Sequence, residues 1–283
     1  MKPEELLHPE LNARTVVWFV KRPRLYPELW RMAKSAALGR EPQPDTHCEA
    51  ERWCLARAIS TAEAVQRVTG WGIPGAVHAK YAHVFAEAKS IAEACPVGMG
   101  GASDIDLLYW LVEYTQATRV LETGVAYGWS SLALLLSLSR RNGLLVSIDR
   151  PYLNRNNDAH VGCVIPAALR AHWRLLRSAD REGIPKAVRA LGTIDVCHYD
   201  SDKSYGGKRW AFPRLWRALK PGGILIADDA GDDVAFRDFC EETRTEPIIV
   251  RTALDYCVEI GIQATSVRPV SKGETKFVGV LVK

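Results

Sequence analysis

Apolar and polar positions follow one rhythm up to about Ala102 and another after it. The first stretch carries apolar residues at helical spacing, without the strict alternation of a half-buried strand. Val16, Val17, Phe19 and Val20 precede KRPR, and Tyr26, Leu29, Trp30, Met32 and Ala33 recur three to four apart. Thr46 and Glu49 have the spacing of a capping box, which predicts a helix running to about Val68 and closed by Gly70. A further helix is predicted from Val77 to Ala94, and Pro96–Gly101 reads as a flexible joint. Ser103 is placed to cap a helix over Asp104–Thr115, whose Ile105, Leu107, Leu108, Leu111 and Val112 form one buried stripe.

From Arg119 onward short apolar runs alternate with helical segments. RVLET predicts a strand, GVAYG a glycine turn, Trp129–Leu138 an unbroken apolar helix and Leu144–Ile148 a second strand closed by Asp149. A polar loop, RPYLNRNNDAHVG, separates this unit from a helix over Ile165–His172 and a third strand over Trp173–Arg177. Then come a helix over Pro185–Ala190, a strand over Ile194–Tyr199 ending at Asp200, a helix over Arg209–Leu219, and LKPGGILIADD as turn and fifth strand. Ala235–Thr243 reads as helix, and Pro247–Val250 and Lys276–Val282 as the last strands. This order predicts an α/β fold, a doubly wound sheet with helices on both faces and a helical N-terminal region. The strands of a parallel unit end at the same rim, so the glycine turn and Asp149 face one crevice.

Composition narrows the function. The 283 residues are 47% hydrophobic, enough for a full core, and the net charge of +4 comes from scattered basic residues, which argues against a nucleic-acid partner. Seven cysteines form no CxxC pair and mostly sit in apolar runs, as buried thiols of a reducing, cytoplasmic compartment do. The apolar run Leu132–Leu138 is too short to cross a bilayer. The basic, aromatic segment around KRPR reads as a helix packed on the main domain in preference to a membrane or partner contact.

Within ETGVAYG, Gly124 permits a tight turn beside a ligand and Gly128 a close helix start with outward amides. The dinucleotide fingerprint G-x-G-x-x-G is not met, because Ala126 stands at the middle glycine. Glu122 would repel a pyrophosphate but accept from an ammonium, and Asp149 offers two acceptors to a ribose diol. Together these features favour a nucleoside bearing an amino acid, S-adenosylmethionine, over NAD.

Carried by VLETGVAYGWSS, SIDRPY, IDVCHYDSDKSY and LKPGGILIADDAGDDVAFRDFC, the chain from Ser103 onward resembles the class I S-adenosylmethionine-dependent methyltransferases. Within that class it is similar to methyltransferase family 24 and the macrocin or cephalosporin-hydroxylase-type group, and more distantly to catechol O-methyltransferase. The resemblance implies a Rossmann-like seven-stranded sheet over 103–283. It places Glu122 and Gly124 at the methionine end, Ser130 near the carboxylate, Asp149 on the ribose and Asp180 with Arg181 near the adenine. Met99 falls where relatives place a loop over the cofactor.

Asp200, Lys203, Asp228 and Asp229 stand at the ends of two adjacent predicted strands. Three carboxylates at one rim call for a cation, and hard oxygens suit Mg²⁺ or another divalent ion. In catechol-type relatives the positions of Asp200, Asp228 and Asp229 hold such an ion, and Lys203 occupies the base position, where family 24 sequences more often carry histidine in a DSxHSY pattern. Lys203 is thus open between base and counter-ion, with His160 a spare base. His198 reads as a core histidine, Asp232 and Asp233 as helix N-terminal residues, and Tyr205 and Trp210 as either pocket wall or helix packing. The expected activity is O-methyl transfer to a hydroxyl of a small molecule or glycan. A catalytically silent S-adenosylmethionine-binding protein and an NAD-linked oxidoreductase are the alternatives, and the helices before Ser103 are expected to serve as a lid or a homodimer contact.

Overall fold

In the computed structural model, residues 13–38, 46–153, 157–252 and 276–283 are described. The N-terminal part contains α1 (Ala13–Val20), α2 (Tyr26–Leu38), α3 (His47–Leu55), the two-residue strand β1 (Ala58–Ile59), α4 (Thr61–Thr69), α5 (Val77–Lys80) and α6 (Ala82–Glu93). Next come α7 (Ile105–Tyr114), β2 (Arg119–Thr123), α8 (Trp129–Leu138), β3 (Leu144–Asp149), β4 (Trp173–Arg177) and α9 (Asp180–Leu191). The rest is β5 (Ile194–Tyr199), α10 (Tyr205–Ala218), β6 (Leu219–Ala227), α11 (Ala235–Thr243), β7 (Ile248–Thr252) and β8 (Lys276–Val282).

The eight strands form one sheet in the order β1-β7-β8-β6-β5-β2-β3-β4. Among the described strands only β8 runs antiparallel, to β6 and β7. From β2 the chain winds outward through β3 to β4, then returns to lay β5 on the other side of β2. The C-terminal ends of β2 and β5 therefore flank the switch point at which open α/β sheets bind ligands. Side chains of β2 alternate between the two covered faces: Val120 joins the core under α7 and α8, and Leu121 the core under α9, α10 and α11. All ten residues of α8 are buried, since α8 lies between the sheet and an outer helical layer that includes α7.

Several boundaries differ from the sequence pattern, each for a tertiary reason. The helix expected from Thr46 to Val68 is two helices separated by β1, which adds an eighth, edge strand beside β7. Thr46 makes no side-chain cap; its hydroxyl accepts instead from the Val234 amide at 3.3 Å, and Glu49 pairs with Arg237. The working N-cap is Ser60, accepting from Glu63 N at 3.2 Å, and Gly70 ends α4 in the left-handed region as expected. The Val77–Ala94 helix breaks at Tyr81. Asp104, not Ser103, caps α7, accepting from Leu107 N at 2.9 Å. The Ile165–His172 segment is a short 3-10 turn over Ala167–His172, while α9 and α10 start earlier than expected, with Pro185 and Pro213 inside them. Six cysteines are free thiols, and Cys257 lies outside the described residues. No helix among the described residues is long and apolar enough to cross a membrane.

Candidate active site

The site is built around the end of β2. Gly124 has φ of 80°, and a Cβ there would stand 1.9 Å from the carbonyl oxygen of Asp200. Only a glycine lets the turn after β2 pass the end of β5 this closely. Gly128 caps α8 with φ of 100°, and a Cβ on it would meet Gly162 and Ile165. Gly162 N donates to Ala126 O at 2.9 Å and Val164 N to Tyr127 O at 3.2 Å. The segment before the 3-10 turn thus lies against the glycine turn, and the Pro96–Gly101 loop lies on its other flank. There Tyr127 donates to Val97 O at 3.3 Å, and Met99 is buried in the core.

Register places Glu122 between Ser147 of β3 and His198 of β5. All three are buried, and Ser131 and Ser147 donate to Glu122 Oε2 at 2.5 and 2.7 Å. Its other oxygen lies 3.6 Å from His198 Nδ1. Burial alone would lower the imidazole's pKa, but Glu122 raises it above its ordinary value. Glu122 is thereby committed to an internal network, and the core histidine read from sequence is its partner. Ser130, 6% exposed on the first turn of α8, makes no side-chain hydrogen bond within the described residues. A spare hydroxyl among first-turn amides suits a carboxylate.

Asp149 closes β3 as expected and is nearly buried. Its Oδ2 accepts from Val125 N at 2.9 Å and Ala126 N at 3.1 Å, and Oδ1 pairs with Arg177. Sequence reasoning missed Arg177, although the signal was there: Asp149 and Arg177 end neighbouring strands and are register partners. Tyr152 was missed as well. Burial and then the Asp149 charge push its phenol up to about 12, and its hydroxyl reaches the Gly100 backbone.

Asp180 opens α9 and accepts from Ser201 Oγ at 2.6 Å, which ties it to the β5 end. Burial pushes its carboxyl up to about 6. The guanidinium of Arg181 lies over the Trp210 ring, 4.9 Å from the centroid. Trp210 and Tyr205, the latter donating to Asp238 at 2.9 Å, are engaged in helix packing.

Across the switch point, Asp200, Asp228 and Asp229 each offer an oxygen within 4.8 Å of the others. Lys203 Nζ bridges Asp200 and Asp229. Burial favours the neutral amine, but Asp200, Asp229 and Asp228 hold Lys203 well above its ordinary pKa. Burial also pushes the Asp229 carboxyl up, yet Lys203 outweighs it and keeps Asp229 below the usual range. Burial and then the charges of Asp200 and Asp229 raise Asp228 to about 7, against Lys203 and Lys276. Its Oδ1 accepts from Ser103 Oγ at 2.9 Å, so the residue read as a helix cap is tied to the acidic rim. Lys208, also missed from sequence, is buried and donates to the Asp229 carbonyl at 3.0 Å while pairing with Asp233 at 3.1 Å. Asp233 accepts from Ala235 N at 2.8 Å, the helix-start role expected of it. His160 sits in the segment beside the glycine turn and takes no part in the acidic cluster. A cavity of about 460 Å³ lined by Val16, Tyr26, Leu29, Trp30 and Ala33 belongs to α1 and α2 and carries none of this chemistry.

Residues 121–230 match a family model described as a methyltransferase domain. No curated protein matches the chain. Among solved structures, the chain is similar to an O-methyltransferase of Bacillus cereus in complex with SAH, at 17% identity over 81% of this chain and 100% of that one, with a TM-score of 0.49. It is also similar to the O-methyltransferase TomG of Streptomyces achromogenes, involved in tomaymycin synthesis and bound to SAM, at 20% identity over 69% and 89% of the two chains, with a TM-score of 0.49.

Proposed function

We propose that this chain is a class I S-adenosylmethionine-dependent methyltransferase, a reading supported by the match of residues 121–230 to a methyltransferase-domain model, and that it methylates a hydroxyl oxygen of a small molecule or glycan. One observation carries this reading: the glycine turn and the Asp200, Asp228, Asp229 and Lys203 rim meet at the switch point, in contact through Gly124 and Asp200. A methyl donor on one side of that contact and a hydroxyl on the other would be held for in-line displacement. On the donor side Ser130 takes the carboxylate, Asp149 the ribose and Asp180 the adenine end, under the loop containing Met99. Glu122 braces the turn from below through Ser131, Ser147 and His198 rather than meeting the ammonium itself.

On the acceptor side, the methyl moves from sulfur to oxygen, and the hydroxyl proton must leave. Hard carboxylate oxygens of three acids converge there, with Lys203 bridging two of them, a donor set that fits a divalent cation. Asp200, Asp228 and Asp229 would hold it, and such an ion acidifies a bound hydroxyl. Lys203 in its present contacts is a protonated counter-ion. It takes up a proton only where those carboxylates are otherwise neutralised. The wider reading is a cytoplasmic enzyme whose residues 1–102 form a helical lid or dimer contact on a 103–283 catalytic domain.

Calorimetric titration with S-adenosylhomocysteine tests the donor side. Binding is expected in the wild type and a loss of at least about tenfold in Asp149→Ala; no binding, or equal binding by the variant, refutes the assignment. A panel of hydroxylated acceptors with and without chelator tests the rest. Transfer undiminished after rigorous metal removal would sink the cation.

A further inference from the structure

Asp149, the carboxylate assigned above to the ribose, already has donors on both oxygens. Val125 and Ala126 amides occupy Oδ2 at 2.9 and 3.1 Å, and Arg177 Nη1 sits on Oδ1 while also donating to the Asp149 carbonyl at 3.2 Å. Each carboxylate oxygen accommodates about two donors, so one position is left, and a ribose diol asks for two. The second arm of the same guanidinium reaches another acid: Arg177 Nη2 lies 3.1 Å from Asp158 Oδ1. Asp158 Oδ2 in turn receives Arg22 Nη2 at 2.9 Å, from the link between α1 and α2. Burial pushes Asp158 up, but Arg22 and Arg177 outweigh it and hold its carboxyl below the usual range. The four charges alternate from the rim of the sheet to the N-terminal hairpin.

The hairpin is anchored on this side at other points. Arg31 pairs with Glu182 of α9 at 2.6 Å, and Arg150, next to Asp149, pairs with Glu28 of α2 at 2.8 Å. Trp18, Phe19 and Leu25 bury themselves with Leu153 of the loop after β3. The acid partner of Arg177 is thus held within reach by the N-terminal helices.

Resting on the assignment of Asp149 to the ribose, we propose that Arg177 is a positioning residue that caps Asp149 in the free protein and passes to Asp158 when the ribose hydroxyls arrive. Withdrawal of Nη1 opens the second acceptor position on Asp149. Asp158 supplies the carboxylate that keeps the withdrawn guanidinium paired, so it favours the bound state. Removing Arg177 removes a competitor of the ribose; removing the Asp158 charge removes the competitor's resting place. The two changes therefore act in opposite directions, and the second acts only through the first.

The test is calorimetric titration of S-adenosylhomocysteine and of adenosine into the full chain as wild type, Asp149→Ala, Arg177→Met, Asp158→Asn and the Arg177→Met/Asp158→Asn double variant. Arg177→Met is expected to bind both ligands about tenfold more tightly and Asp158→Asn about fivefold more weakly. In the Arg177→Met background the Asp158→Asn effect should vanish. Weaker or unchanged binding by Arg177→Met overturns the handover, as does an Asp158→Asn effect that survives in the double variant. If Arg177→Met fails to fold, Asp158→Asn decides, because its side chain is 43% exposed and its two partners, Arg177 and Arg22, are only partly buried; unchanged or tighter binding then overturns the proposal. Failure of the ribose assignment looks different: the wild type does not bind, or Asp149→Ala binds as the wild type does.

Discussion

Two charged rims face each other across the end of β2, and they are balanced differently. On the Asp149 side, two acids and two arginines alternate in a row, with further donation from the Val125 and Ala126 amides. On the Asp200 side, three acids share Lys203, and Asp228 is left with a serine hydroxyl and a carboxyl raised to about 7. A ligand at the first rim must displace a partner already present. A cation at the second would meet three converging carboxylates that Lys203, Lys208 and Lys276 offset only in part, since Asp228 stays raised. One rim is built for exchange and the other for addition.

The most severe way to break the comparison is to push the rims apart. Gly124→Ala places a Cβ 1.9 Å from the Asp200 carbonyl at a φ of 80°, and backbone on both sides leaves no flexible side chain to yield. A loss of about 3 kcal/mol or more is expected in urea unfolding. Near-wild-type stability would show that the two strand ends tolerate separation.

Next in size is the separation of the two rims' functions. Asp228→Asn should lower transfer by roughly a hundredfold and abolish any rise in Tm on adding Mg²⁺, with S-adenosylhomocysteine affinity unchanged. Asp149→Ala should do the reverse, losing the nucleoside but keeping the Mg²⁺ response. If either variant lost both responses, the rims would be one site and not two.

Asp180 sharpens the contrast through pH. Its carboxyl is raised by burial to about 6 from 3.8, so the folded chain binds this proton more strongly than the unfolded one. Its contribution to stability is therefore largest in acid and is lost as pH rises from about 4 to about 6. Asp180→Asn, with Ser201 still able to donate, should gain roughly 2 kcal/mol at pH 7 and flatten that part of the profile. His198, raised by Glu122 against the effect of burial, gives stability present below 6.5 and lost as pH climbs through its folded value. The two windows separate in a stability series from pH 4 to pH 9. A profile that does not change on Asp180→Asn would contradict the assignment of the lower one.

The strand, turn and helix order from Arg119 to Asp149 was legible because each element carries its own period over five residues or more. The two-residue β1 has no period to read, and it forms only because β7 offers an edge. Candidate acids were legible as residue types at strand ends, but their partners were not. Glu122 looked like a ligand group until register set it beside Ser147 and His198. Arg177 looked like the end of a strand until register set it beside Asp149. Pairing across a sheet is a non-local fact, and a single chain read in order records only which residues can end a strand.

Ser103 is the smallest effect and the most direct probe of the open rim. The spacing ahead of Ile105 suits a cap, yet Asp104 does that work and Ser103 turns its hydroxyl to Asp228 at 2.9 Å. Ser103→Ala should therefore leave α7 intact, whereas Asp104→Ala should cost about 1 kcal/mol of stability. What Ser103→Ala removes is a hydroxyl donor that favours ionised Asp228, a loss of about 1 kcal/mol. The Mg²⁺ needed to raise Tm should increase roughly fivefold, because protons compete better for Asp228, and the increase should fade above pH 8, where Asp228 is ionised regardless. Ser103→Thr, which keeps the hydroxyl, should restore the wild-type response. A Ser103→Ala protein that loses helix content with an unaltered Mg²⁺ midpoint would return Ser103 to the cap and leave Asp228 without its donor.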